Sequence, residues 1–160
     1  KGQLSGEYML LVGSLIVVLM ISIFMIANEN ELNIAMAAAK SGADEGVASS
    51  SSAIYPKETF NEYDDMEGLK HPYSVSIVNV SYNSSGIDEN YGKQKIQFKV
   101  YAKASVDYNK KELDSIGDRI NYNLRKSVAT SFNTTDSTNK LYNPVFSNNY
   151  VFTTANVVWV

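Results

Sequence analysis

Residues 2–20 read GQLSGEYMLLVGSLIVVLM, and one carboxylate in this stretch governs the reading of the whole chain. Glu7 stands at the lip of a run that carries no charge from Tyr8 to Ala27, 20 residues broken only by Gly13, Ser14 and Ser22 among the apolar side chains. At about 1.5 Å rise per residue, such a run covers about 30 Å as a helix, the thickness of a bilayer core. An ionised carboxylate at its edge carries a heavy desolvation cost in hydrocarbon, so it needs a cation, a proton or the water interface. A membrane-resident helix keeps Glu7 wet at the interface. In a packed bundle of such helices the water is gone, and the natural partner is a free α-amino group, its own or an adjoining subunit's. A misplaced subunit would then bury two unpaired charges, so the pairing guides docking and register. The plainer alternative is a first-turn Glu held by the helix dipole among lipid headgroups.

Beyond the run, Asn28, Glu29, Asn30 and Glu31 mark the exit from the apolar zone. The stretch NIAMAAAKSGADEGVA (33–48) keeps helical character through Ala35, Ala37, Ala38, Ala39 and Ala43, small residues that let another helix approach closely. Four serines (49–52) and then Pro56 end the pattern. The expectation is one helix from Gln3 to about Ser49, far longer than the globular norm of about 11–12 residues. A helix of that length needs neighbours along it, more than a small head can supply. The chain is therefore read as a hydrophobic assembly and transmembrane helix over 1–50 and a globular head over 51–160.

The head is wet and rich in Asn, Ser, Tyr and Thr. Residues 57–72 read as a loop. YSVSIVNVSY (73–82) reads as a strand with a bulge after Val78, and NSSGIDENYG (83–92) as a turn-rich connection. QKIQFKVYAKASV (94–106) alternates cleanly, with Ile96, Phe98, Val100, Ala102, Ala104 and Val106 on one face. The two strands are expected to form an antiparallel hairpin. From Asn109 to about Ser131 the period becomes helical, with Leu113, Ile116, Ile120, Leu124 and Val128 on one stripe and Gly117 weakening the helix slightly. YVFTTANVVWV (150–160) returns to strand-like sequence and requires a place inside a sheet. The fold class that follows is α+β: a long hydrophobic N-terminal helix, then a small head with an antiparallel β-sheet and a packing helix.

The hexad Gln3-Leu4-Ser5-Gly6-Glu7-Tyr8, with Gly2 directly before it and the charge-free run directly after, resembles the Q-x-S-x-E-x start of archaeal type IV pilins that carry class III signal peptides. The resemblance covers the first 30–50 residues; nothing in the head matches a known motif. It implies removal of a basic leader by a prepilin peptidase between Gly2 and Gln3. It also implies residence of the stem in the membrane, and extraction by an assembly machinery into a helical homopolymer displayed at the cell surface for adhesion. Lys1 and Gly2 depart from that processing pattern, and the chain, which does not begin with Met, is expected to be a processed or trimmed product. The residues expected at the assembly surface are Ser5, Glu7, Tyr8, Leu11, Leu15, Val18 and Phe24. Two alternatives stand beside the pilus: an archaellum filament subunit, whose usual start lacks this hexad, and a single-pass anchor for a surface binding domain.

Composition narrows the function classes. Net charge is −3, without the basic patch that a nucleic-acid partner requires. Cysteine is absent, which excludes disulfides and thiolate metal sites. Three sequons begin at Asn79, Asn83 and Asn133, the last two in expected turns, and each is a candidate for N-glycosylation if exposed outside the cell. Asp64, Asp65 and Glu67, and the pair Asp88 and Glu89, lack the spacing of a calcium loop and read as solvated acidic loops. His71, the sole histidine, precedes Pro72 with no nucleophile in a recognised arrangement, and no phosphate-binding glycine loop occurs. The 11 tyrosines fall where Tyr commonly packs. A structural protein with no cofactor, no metal and no catalytic residue is the expectation.

Overall fold

The computed structural model describes residues 3–48 and 74–160, the backbone alone for Gln3 and Leu4. The fold is α+β. Helix α1 (Gln3–Ala48) is followed by β1 (Val75–Asp88), β2 (Lys93–Ala104), α2 (Lys110–Ser131), a 3-10 turn at Thr135–Ser137, β3 (Val145–Phe146), β4 (Tyr150–Thr154) and β5 (Val158–Trp159). Two compact units divide within α1, at Asn33 and Ile34. The loop expected over 57–72, with Asp64, Asp65, Glu67 and His71, lies outside the described residues.

In the second unit, α1 supplies a strip of small residues. Ala35, Ala39 and Ala43 are wholly buried, as are Gly42 and Gly46 between and beyond them, whereas Ala37 points to solvent. The strip meets α2 at backbone distance. A Cβ built on Gly42 would stand 2.6 Å from the Asn123 carbonyl oxygen and 2.8 Å from the Leu124 Cα, and one on Gly46 would stand 2.9 Å from the Ile120 Cα. The small residues therefore serve an intramolecular helix–helix contact, in which side chains larger than hydrogen have no room.

Helix α2 opens on a reciprocal cap: the Glu112 backbone N–H donates to Asn109 Oδ1 (2.9 Å), and the Asn109 backbone N–H donates to Glu112 Oε2 (2.9 Å). The anticipated stripe is buried at Ile116, Ile120, Leu124 and Val128. Helix α2 also touches β3 and β4, so it has the sheet as well as α1 for neighbours. Gly117 has a packing reason beyond propensity: its missing side chain leaves room for Val157, which a Cβ there would meet at 3.3 Å.

The sheet departs from the expected antiparallel arrangement in one respect: it is mixed. Strands β1 and β2 form the anticipated antiparallel hairpin, and β4 pairs antiparallel with β3, but β4 and β5 both run parallel to β2. The chain returns through α2, and a crossover of this kind delivers a parallel strand. The expected single strand over 150–160 is split. Pairing passes from Phe98↔Thr154 to Tyr101↔Val158, so β2 advances three residues while the tail advances four. The surplus residue breaks the ladder, and Asn121 Nδ2 holds the bend by donating to the Ala155 carbonyl oxygen (2.9 Å).

The hairpin also differs at its tip. Strand β1 continues through the stretch read as a connection, and only residues 89–92 turn. Gly86, at φ 82°, takes up the register shift between Ser84 and Ile87 in the left-handed region that glycine tolerates, and pairing resumes at Ile87↔Gln94. The bulge expected after Val78 is present as a shift between Ile77 and Asn79, with Val78 turned out to solvent. Ile96, Phe98, Val100 and Ala102 are buried as the alternation predicts; Val106 lies beyond the end of β2 and is exposed. The core closes on Phe152, which stacks on Phe98 (5.6 Å between centroids) and Phe132 (5.7 Å).

Candidate functional site

The first unit is a helix with nothing around it. Every large side chain named as exposed between Tyr8 and Ile26 lies between 52% (Ile16) and 77% (Leu10) open. Apolar surface on this scale does not stay in water. Each Leu, Ile, Met or Phe buried is worth about 1.5–3 kcal/mol, so the run holds roughly tens of kcal/mol in reserve for whatever covers it. The helix is long and apolar enough to cross a membrane. A membrane-insertable N-terminal helix is therefore a property of this chain.

The two polar side chains inside the run are satisfied within the helix. Ser14 Oγ donates to the Leu11 carbonyl oxygen and Ser22 Oγ to the Val18 carbonyl oxygen, each at 2.8 Å. Neither hydroxyl therefore requires water, and the segment is ready for hydrocarbon or a dry interface. Glu7 is exposed, and among the described residues no cation lies within ion-pair distance.

Helical geometry sorts the residues expected at the assembly surface. At about 100° per residue, Glu7, Leu11, Leu15 and Val18 share one stripe, with Tyr8 at its edge, and Ser5 and Phe24 fall well away from it. Counting further places Ser14 and Ser22 on the Glu7 stripe as well. This alignment of one carboxylate and two hydroxyls was legible from spacing alone. Small and hydroxyl-bearing residues on one face are what lets helices approach and hold in an apolar medium.

The sequon asparagines Asn79, Asn83 and Asn133 are all exposed. Asn133 follows α2 at φ 55°. Asn83 lies in β1 opposite Gln97, not in a turn. Asn79 borders the bulge. The acidic pair in the hairpin is local structure. Asp88 accepts from the Asn90 backbone N–H (3.0 Å) and lies 3.7 Å from the Lys95 ammonium, which accounts for it as a turn cap.

In the second unit a cavity of about 360 Å³ lies between α2 and the segment joining β4 to β5. Asp114, Asp118 and Asn121 line it from the helix, Val157 and Trp159 from the tail. Burial, before any other cause, pushes the Asp118 carboxyl above the ordinary aspartate range; Arg125 pulls it back and Asp114 pushes it further up. Nothing in the sequence marked this place.

Compared with protein-family models, with curated protein sequences and with solved structures, the chain matches none.

Proposed function

We propose that the chain is the repeating subunit of an extracellular filament of the archaeal type IV pilus kind, held in the membrane before assembly and polymerised through α1. The observation that carries the reading is the apolar half of α1, open on every side. A single bilayer-spanning anchor needs only the apolar length. A polymer needs in addition a way to set register, and the stripe of Glu7, Ser14 and Ser22 offers one. In water without lipid, copies of the same helix are the covering that removes the most apolar surface. Glu7 then meets the α-amino group of a neighbouring copy, a pairing that strengthens as water leaves. A prepilin peptidase and an assembly machinery are the partners this route requires. Glycans on the exposed sequon asparagines and adhesion by the displayed surface complete the proposal.

The test is Glu7→Gln, which keeps size and removes charge. The subunit still fractionates with the membrane, while filaments sheared from the cell surface and seen by negative stain fall sharply in yield. Normal filaments from this variant would refute the role given to Glu7. Absence of the wild-type chain from any filament would refute the polymer.

A further inference from the structure

The geometry points to the cavity between α2 and the β4–β5 segment as a binding site for an organic cation, a primary ammonium or guanidinium group carried on an aliphatic stem. The site belongs to the second unit and does not depend on how the stem is covered. Asp114 and Asp118 are four residues apart on α2, which places both carboxylates on one helical face. Asn121, one turn further, is only 5% exposed. Its amide nitrogen is occupied by the Ala155 carbonyl oxygen, and its Oδ1 meets no donor. A buried acceptor left without a donor is rare in folded proteins and marks a missing partner.

The three side chains thus present acceptors and no free donor. An ammonium is the complement: three donors and no acceptor. Lys110 also borders the cavity, so one positive charge stands against two carboxylates and the lining stays net negative, which disfavours an anion. Leu113, Val157 and Trp159 supply the remaining wall. Aliphatic methylenes pack on such side chains, and the indole face attracts a cation. A hard divalent ion is a poorer fit, since calcium takes about six to eight oxygens and magnesium demands near-octahedral geometry. The raised affinity of Asp118 for its proton agrees with a carboxylate placed where a cation is wanted.

Trp159 is the sole tryptophan of the chain, so intrinsic fluorescence reports on this cavity alone. The full chain in detergent micelles is titrated with cadaverine, with pentanol as the uncharged counterpart and with calcium chloride as a hard-cation comparator. Cadaverine is expected to give a saturable change in Trp159 emission and pentanol none. Asp118→Asn, checked for folding by circular dichroism, is expected to bind cadaverine about tenfold more weakly, a factor equivalent to about 1.4 kcal/mol. The wild-type comparison of amine and alcohol decides the matter even if the variant does not fold. No response to cadaverine, an equal response to pentanol, or calcium binding tighter than cadaverine would each overturn the proposal. Carbodiimide treatment of the concentrated chain separates the sources of the cation. An amide between Asp114 or Asp118 and a lysine of a second copy identifies a protein side chain; cadaverine binding without that amide identifies a free amine.

Discussion

Replacing Gly42 by alanine sets two effects of known size against each other. In an unobstructed helix interior, Gly→Ala stabilises by about 0.5–1 kcal/mol through the unfolded state and helix propensity. At Gly42 the added Cβ would stand 2.6 Å from the Asn123 carbonyl oxygen, 2.7 Å from the Ser127 Cβ and 2.8 Å from the Leu124 Cα. Carbon–oxygen contacts settle at about 3.3–3.6 Å, so α1 and α2 must part by roughly 0.7 Å. Two of the three obstacles are backbone atoms, which no change of rotamer moves aside. A gap of about 0.5–1 Å forfeits a quarter to a half of each dispersion contact across the seam, including those of the alanines at 35, 39 and 43. Overpacking of this kind costs about 1–3 kcal/mol. With the propensity gain subtracted, the net loss is about 1–2 kcal/mol, or a fall in melting temperature of roughly 4–8 °C for a unit of this size. Urea or thermal unfolding of the full chain in detergent, followed by Trp159 fluorescence, reads the second unit directly. Gly13→Ala is the control: nothing lies within 4 Å of its Cβ, and the Trp159 transition stays in place. A Gly42→Ala chain as stable as the parent, or more stable, would refute the close contact between α1 and α2.

Other outcomes follow from single contacts. Asn109→Ala removes the side-chain half of the α2 cap and lowers stability by about 1 kcal/mol in urea unfolding; an unchanged midpoint would deny the cap any role. The folded state holds the Asp118 proton more tightly than the unfolded chain does. Stability from this group is therefore greatest below the ordinary aspartate pKa of about 3.9 and declines as pH rises through the folded value. Asp118→Asn, neutral at every pH, gains on the parent between about pH 3 and about pH 7, and a flat or shrinking difference in urea midpoints would contradict that. The chain recovered from its native surface carries mass beyond its 17.7 kDa polypeptide, and the excess falls in Asn133→Gln. A bare polypeptide mass would reject glycosylation at Asn79, Asn83 and Asn133 together.

Local signals carried the elements well. The charge-free run and the alanines after it give α1; the alternation from Ile96 to Ala102 gives β2; the stripe from Ile116 to Val128 gives α2. The reciprocal cap of Asn109 and Glu112 was readable too, as an Asn three residues ahead of a Glu. What spacing does not encode is which surfaces meet. The direction of the tail against β2 depends on a crossover through α2, and antiparallel and parallel strands look alike in sequence. The split between β4 and β5 arises from one surplus residue against β2, visible only once the partner is known. Gly86 looked like a turn residue because turns and bulges use the same backbone freedom. The cavity is the extreme case: Asp114, Asp118 and Asn121 read as the solvated side of a helix until Val157 and Trp159 are laid beside them.

The late arrival of β4 and β5 has a consequence for biogenesis. Their partner β2 is complete at Ala104, yet Tyr150 is the first residue able to pair with its second edge. While the chain is being made or passed across a membrane, that edge stays bare until the last strands emerge. The hairpin must wait with open hydrogen-bonding groups, the condition under which nascent chains join the wrong neighbour. The final residues thus act as a latch, and a chaperone or the translocation apparatus has reason to guard the hairpin until it closes.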